Sequence, residues 1–113
     1  MIPRPNRRLL LEAPMTEPDG AGGFAIRWAP LGTLWGAVVH PPPREGMLPA
    51  GSGMRRPVRV TLRAAPPTAP SRPRPGQRLR EGDRFYLIDA VAPATADGRW
   101  LICHAHEEEE AAP

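Results

Sequence analysis

The chain has little of what identifies membrane proteins, secreted disulfide-bonded proteins or helical proteins. A single cysteine in 113 residues excludes an internal disulfide and favours a reducing compartment or indifference to redox conditions. No apolar run approaches the roughly 20 residues that cross a bilayer, and the first residues lack the apolar core of a signal peptide, so we expect no membrane association. The 17 prolines and 11 glycines argue against long helices. The length fits one domain.

Lysine is absent, and all 15 basic residues are arginine. A GC-rich genome explains this bias, and selection for bidentate phosphate recognition is the alternative explanation. Residues 44–84 contain ten arginines against three acids, a balance of 10 − 3 = +7, whereas residues 107–110 are four consecutive glutamates. This asymmetry fits a polyanionic partner, head-to-tail contact between copies, or a solvated surface that needs no partner.

Residues 76–105 carry the clearest structural signal in the chain. Asp97-Gly98 separates two apolar runs, and Glu81-Gly82-Asp83 marks a tight turn before the first of them, because glycine takes positive φ without steric cost. Two strands alone bury too little apolar surface to be stable, so this hairpin must pair with strands upstream. The sequence therefore predicts a small all-β protein with at most one short helix. The predicted strands are Arg7–Glu12, Phe24–Ala29, Thr33–His40, Val58–Arg63, a short strand before residue 81, Arg84–Val91 and Arg99–Ala105.

Alternation of apolar and polar residues predicts which side of each strand faces the core. The cleanest pattern is in Val58–Arg63, while the aromatic residues form the apolar side of the two strands before it. The residues predicted to be buried are Trp35, Val58, Val60, Leu62, Leu87 and Ile102. Phe24, Trp28 and Phe85 are assigned to faces of the same core-like character.

Two proline-rich segments and both termini are expected to lie outside the strands. The chain divides into a flexible N-terminal arm (1–6), a single domain (7–106) and an acidic C-terminal tail (107–113). Within the domain, residues 41–55 form a long loop, and such loops are usually functional or disordered. Residues 64–75 contain five prolines, which predicts a semi-rigid, polyproline-type connector.

The residue types that carry catalysis are present but are not arranged for it. Cys103, His104 and His106 are close in sequence, yet on a strand the two histidines share one face while Cys103 points to the other. They therefore cannot converge on one metal, and the thiol is separated from the imidazole that would activate it. Residues 51–53 (GSG) lack the Gly-Lys-Ser/Thr element of a phosphate-binding loop. We expect no enzyme, no metal site and no cofactor.

A nucleic-acid-binding barrel is a second function class that the sequence leaves open, and a peptide-binding or scaffold module is a third. Small basic barrels bind single strands by stacking bases on exposed aromatics inside a positive groove. Aromatic residues are only 5% of this chain, and they fall on core-like faces. Arg55-Arg56, together with Arg59 and Arg63, can follow phosphates, a pattern that favours loose, sequence-independent contact with DNA.

Five segments follow one another in an order that resembles a known family. They are the aromatic-containing strand TLWGAVV at 33–39, PPRE at 42–45, VRVTLR at 58–63, GQRL…GDRFYLIDAV at 76–91 and the tryptophan-led strand RWLIC at 99–103. Over residues 7–106 this order resembles the tailed-phage head–tail joining proteins, also called head-closure, stopper or adaptor proteins. That family includes relatives from prophages and gene transfer agents.

The resemblance implies a small β-barrel of six or seven short strands with a long projecting loop and flexible termini. It implies a structural protein that forms a homo-oligomeric ring at the neck of a phage-like particle. Such a ring joins the portal or adaptor protein to the tail terminator or tail tube, around the channel for double-stranded DNA. Assembly is expected in the bacterial cytoplasm, with no membrane involved.

The loop at 41–55 and the acidic tail supply the candidate contact residues. The loop combines glycines with apolar side chains that a free loop does not explain, and arginines stand at its two ends. Candidate contacts with the channel, with DNA or with a neighbouring protein are Arg44, Glu45, Met47, Leu48, Met54, Arg55 and Arg56. Candidate contacts between subunits are Glu107, Glu108, Glu109 and Glu110.

Overall fold

A computed structural model describes residues 5–41 and 55–108, without the side chains of Arg55 and Glu108. Its six strands are β1 (Arg7–Pro18), β2 (Phe24–Val39), β3 (Arg55–Arg63), β4 (Arg78–Glu81), β5 (Arg84–Pro93) and β6 (Trp100–Glu108). All neighbouring strands are antiparallel, and the sheet closes on itself in the order β1-β2-β3-β6-β5-β4. The predicted all-β barrel is confirmed. Nothing in the described ranges is a helix long and apolar enough to span a membrane.

Alternate residues of the strands fill the barrel interior. The buried apolar side chains are Leu9, Leu11, Val58, Val60, Leu62, Leu79, Tyr86, Ile88, Leu101, Cys103 and Ala105. The predictions for Val58, Val60 and Leu62 are confirmed. Gly36 of β2 allows this packing, because a Cβ atom there would lie 2.6 Å from Leu62 Cδ2 and 2.9 Å from Val60 Cγ1. A larger residue would therefore push β2 away from β3.

The predicted inner faces of β5 and β6 were wrong. Leu87 and Ile102 are only partly buried, whereas their neighbours Tyr86 and Cys103 face the core. Both faces of these strands carry apolar residues, so alternation does not decide between them. Cys103 faces the barrel interior and the next residue, His104, is exposed on the outer surface, because successive side chains of a strand point to opposite faces.

The prediction for the aromatic residues of β2 was wrong as well. Trp35 is 55% exposed and Phe24 is 73% exposed, while Trp28 is partly buried. Trp35 pairs with Arg8 on the outer surface because the adjacent Gly36 occupies the inner position. The two strands predicted between residues 24 and 40 form one continuous strand, with an irregularity in its pairing opposite residues 11 and 12.

Tight turns lie where the sequence predicts them, but residues 64–75 do not form the predicted polyproline-type connector. Gly82 has φ +61° in the two-residue turn between β4 and β5, as the hairpin prediction requires. Residues 64–75 form successive turns, including an Ala69 N–H bond to Pro66 O at 2.9 Å and an Arg72 N–H bond to Ala69 O at 3.1 Å. The connector is therefore folded back on itself, and the prediction of an extended polyproline segment was wrong.

The topology places the chain connections at two opposite ends of the barrel. One end contains the start of β1, the end of β2, the start of β3, the β4–β5 turn and the end of β6. Segments 1–4, 42–54 and 109–113, which lie outside the described residues, are all attached at this end. The other end contains the β1–β2 hairpin, the 64–77 connector and the β5–β6 turn.

Candidate functional site

Charged side chains close the barrel at the end where the undescribed segments are attached. They continue the inward-facing positions of the strands: Arg7 precedes buried Leu9 by two residues, and Glu107 follows buried Ala105 by two. We call this group the charged end. Its members are Arg7, His40, Arg56, Glu81, Arg84, Tyr86 and Glu107.

Glu81 is the first centre of the charged end. Arg7 binds its carboxylate through two bonds, Nε to Oε2 at 2.5 Å and Nη2 to Oε1 at 2.6 Å, and Tyr86 donates its hydroxyl to Oε1 at 2.9 Å. A bidentate guanidinium–carboxylate pair is among the stronger polar contacts in proteins. The Arg7 hydrogen bonds hold the pKa of Glu81 below its usual value. Burial, followed by the bond to Glu81, raises the pKa of Tyr86 to about 12.

Glu107 is the second centre. Arg84 donates to it from Nε at 2.6 Å and from Nη2 at 2.7 Å, and His40 Nε2 lies 3.8 Å from its Oε1. The Arg84 bonds lower the pKa of Glu107, and Arg56 contributes in the same direction. Three arginines therefore surround two carboxylates, and most of this charge is satisfied within one subunit.

The structure brings together parts of the two predicted contact regions. Arg56 is exposed and pairs in register with Glu107, so the base of the loop lies beside the start of the acidic run. Arg55 and Glu108 also pair, although only their backbones are described. Glu107 belongs to β6 and contacts Arg84 of its own chain. The remaining predicted residues lie outside the described residues: Arg44, Glu45, Met47, Leu48, Met54, Glu109 and Glu110.

A second surface was missed by the sequence reasoning. Strand β1 pairs with β4, and β2 pairs with β3, only within the barrel. Past these contacts the two strands pair only with each other, over six residue pairs from Ala13–Ala29 to Pro18–Phe24. We call residues 13–29 the hairpin extension. Its tip is closed by Asp19, whose Oδ1 accepts bonds from the N–H groups of Ala21 at 2.8 Å and Gly23 at 3.0 Å.

One face of the hairpin extension is apolar and exposed. Register places Phe24 opposite Pro18, Ile26 opposite Thr16 and Trp28 opposite Pro14 on this face, and Phe24 and Ile26 are 73% and 66% exposed. The alternation of Phe24, Ile26 and Trp28 is the pattern of a core strand, and this is why Phe24 and Trp28 were predicted to lie on a core-like face. The Asp19–Gly20 pair between residues 13–18 and 24–29, two segments of equal length, is the sequence signal that could have indicated a long hairpin.

An arginine clasp fastens the base of the hairpin extension to the barrel. The Arg78 guanidinium of β4 lies between the rings of Trp28 and Phe85, at 4.1 and 4.2 Å from their centroids. Its Nε donates to Oε1 of Glu12 at 2.6 Å, and Glu12 is 5% exposed. Stacking on both faces and a charged bond at the edge restrict the guanidinium. The direction of the extension is thereby fixed relative to β4 and β5.

A shallow groove of about 360 Å³ crosses the outer wall formed by β1, β2 and β4. Its lining includes Arg8, Leu10, Thr33 and Arg80. Trp35 pairs with Arg8 beside it. The groove therefore combines apolar surface with two guanidinium groups.

Cys103 faces the barrel core, while His104 and His106 lie on the outer side of β6. Burial raises the pKa of the Cys103 thiol to about 12, so it remains protonated at neutral pH. His106 Nδ1 lies 2.8 Å from Oδ2 of Asp89 on the outer surface. Within ranges 5–41 and 55–108, no three His, Cys, Asp or Glu side chains gather where a metal ion could bind.

Comparisons with known proteins point to one family. The model of the family described as phage head completion protein matches residues 1–109. Among solved structures, the chain is similar to one from the virion of a native gene transfer agent particle. The two are 40% identical with a TM-score of 0.80, and the match covers 97% of this chain and 100% of the other. No curated protein matches the sequence.

Proposed function

This chain belongs to the phage head completion protein family, and on this premise we propose that it is a head–tail connector, a stopper or head-closure subunit, in a phage-like particle or gene transfer agent. The observation that carries the proposal is the match of nearly the whole chain to one from a gene transfer agent virion. Membership of this family supports a structural role rather than catalysis. Assembly of the particle would take place in the bacterial cytoplasm.

In this proposal the subunits form a ring at the particle neck, between the portal or adaptor protein and the tail terminator or tail tube. The polarity of the barrel supports such an arrangement, because segments 1–4, 42–54 and 109–113 are attached at one end. Arg56 and the base of the loop, which lie at that end, would then contact the DNA inside the ring or the neighbouring neck proteins. Double-stranded DNA passes through the ring, and the arginines near the loop face its phosphates or acidic neighbours.

Removal of the gene tests the connector role. Cells lacking the protein are expected to produce DNA-filled or leaking heads without attached tails, and supplying the full chain should restore tailed particles. Electron microscopy of the purified particles provides the measurement, and an image of the neck should show density of barrel size in a ring. Normal tailed particles from the deletion strain would contradict the proposal.

The loop can be tested separately from the barrel. We expect replacement of residues 42–54 by a short Gly-Ser turn to preserve the fold, because the end of β2 and the start of β3 lie in neighbouring strands at the same end of the barrel. We expect it to block DNA retention or tail docking. Deletion of residues 109–113 is a separate test at the same end of the barrel, because it removes the candidate subunit contacts Glu109 and Glu110. If the loop variant gave particles that carry and deliver DNA normally, the loop would have no role in closure.

Nucleic-acid binding by the isolated barrel remains the alternative function. The observation in its favour is the exposed Trp35, which pairs with Arg8 beside the outer groove. Base stacking on such a residue, with phosphate contacts to arginine, predicts strongly salt-dependent binding to single-stranded DNA. Titration of labelled oligonucleotides at two salt concentrations tests it. Tight binding of the oligonucleotide that is abolished by Trp35→Ala would favour this alternative. Absence of binding would exclude it and favour the connector role.

A further inference from the structure

The outer part of the apolar face of the hairpin extension is not covered by the described residues of its own chain, whereas Trp28 at its base contacts Arg78. Phe24 and Ile26 are its most exposed large side chains, and they lie together on one side of a two-stranded ribbon. An isolated two-stranded hairpin is marginal in water, yet this one is held at a fixed angle by the clasp of Arg78, Trp28 and Phe85. A rigid apolar ribbon of this kind is suited to docking.

The charges identify a second copy of this chain as the occupant. The hairpin extension carries two acids, Glu17 and Asp19, and one base, Arg27, a balance of 1 − 2 = −1. Glu17 Oε2 lies 3.5 Å from Arg27 Nε on the face opposite Phe24, so the net negative charge lies at Asp19, at the tip. The outer groove carries Arg8 and Arg80. In the described part of the chain, no carboxylate lies within ion-pair distance of either groove arginine. A tip with one acid, Asp19, beside apolar side chains is thus complementary to a groove that contains Leu10 and two guanidinium groups.

The hairpin extension cannot reach the groove of its own subunit. Its six pairs extend for about 20 Å at the rise of a β-strand, and they lead away from the barrel at the end opposite the β4–β5 turn. The groove is lined in part by Gly82 of that turn. A contact between the two surfaces is therefore a contact between different subunits, and it is heterologous, as a closed ring requires.

We propose that the apolar face of the hairpin extension of one subunit docks in the outer groove of the next subunit, an inference that rests on the ring of the proposed function. Phe24 and Ile26 lie over Leu10 and Thr33, which are register partners in the wall of the groove. The acidic tip of the extension lies near Arg8 and Arg80. Repetition of this contact around the neck closes the ring.

Cysteine cross-linking in assembled particles tests this contact. The native Cys103 is buried with a raised pKa, so introduced thiols react without interference. The double variant Ile26→Cys, Thr33→Cys is expected to give a ladder of covalent oligomers when particles are treated with a short thiol cross-linker. The matched control is Ile26→Cys, Arg59→Cys, in which the second thiol is exposed on β3, and it should remain monomeric. Absence of a ladder from the first pair, or an equal ladder from the control, would overturn the inference.

Substitution of Phe24 gives an independent readout. Phe24→Ser should leave the melting temperature of the isolated subunit unchanged, since the side chain is exposed, and it should lower the number of tailed particles by about tenfold or more, as expected for loss of an aromatic contact at the centre of an interface. Met15→Ser is the matched control, because Met15 is 48% exposed on the other face of the same hairpin. Equal particle numbers from the Phe24 and Met15 variants would contradict the docking.

These outcomes can be separated from failure of the proposed function. Immunoblotting of the purified particles shows whether the chain is present in them. If it is present and tails attach, but the Ile26–Thr33 pair gives no ladder, the connector role stands and the docking inference fails. If the chain is absent from tailed particles, the proposed function itself fails.

Discussion

The charged end and the hairpin extension both look like binding surfaces, the first because of its charge and the second because of its exposed apolar side chains. They differ in whether those side chains already have partners in the same subunit. At the charged end, both central carboxylates are bound by arginines of the same subunit. The hairpin extension instead exposes Phe24 and Ile26 to solvent. The charged end therefore contributes to the stability of one subunit, whereas the extension is free to contact another. Charge at the mouth of a barrel is weaker evidence for a binding site than unpartnered apolar surface on a rigid hairpin.

The largest expected effect separates the barrel core from the hairpin extension. Val60→Asp places an unpaired charge among fully buried side chains and should cost several kcal/mol, about the whole stability of a small domain. Ile26→Asp makes the same kind of change at a side chain that is 66% exposed, and it should leave folding intact. Circular dichroism and denaturant unfolding of both variants provide the measurement. A folded Val60→Asp variant would show that Val60 is not in the core, and an unfolded Ile26→Asp variant would show that Ile26 is not exposed.

The next effect concerns the clasp at the base of the extension. Arg78→Ala leaves the buried Glu12 carboxylate without its partner and should destabilise the subunit by about 3 kcal/mol, at the low end for a broken buried ion pair because Arg78 keeps some exposure. Arg78→Lys retains the charge but not the planar group between Trp28 and Phe85, so it should cost less. Chemical unfolding of the two variants measures this order. Equal losses would show that the retained charge contributes nothing, and an Arg78→Lys variant as stable as the unmodified subunit would show that stacking contributes nothing.

Turn chemistry and alternation were sufficient to predict the fold class, but not the positions of the two surfaces. Gly82 and Gly98 mark turns that depend on local backbone preference, and both have positive φ. The Arg7–Glu81 pair joins residues 74 positions apart, so it depends on strand order and register that one sequence does not reveal. Phe24 has the spacing of a core residue, but none of the described elements packs over its face, so it is exposed.

A smaller effect appears when the charged end is titrated with acid. The pKa values of Glu81 and Glu107 are lowered in the folded subunit by their arginine partners. Stability from these groups is therefore complete above the ordinary glutamate value of 4.5 and is lost as pH falls through the lower folded values. Glu81→Gln should flatten the fall in unfolding free energy below that pH and should cost about 1–3 kcal/mol at neutral pH. Asp83→Asn is the control, since Asp83 is exposed in the β4–β5 turn and forms no ion pair with the described residues. An unchanged acid profile in Glu81→Gln would exclude Glu81 as a source of the pH dependence.

The smallest effect is expected at Tyr86, the single tyrosine of the chain, which lies where the charged end meets the core. The Tyr86 hydroxyl donates to Glu81 while its ring is fully buried, and Tyr86→Phe should cost about 1 kcal/mol because Glu81 keeps both bonds to Arg7. The pKa of Tyr86 is raised from 10.0 to about 12. The stability it contributes is thus fully present below pH 10 and is lost as pH rises through the folded value. Ultraviolet absorbance of tyrosinate gives a direct readout, with Tyr86→Phe as the blank. A midpoint near pH 10 in folded protein would mean that the hydroxyl reaches solvent and that the charged end does not seal the barrel.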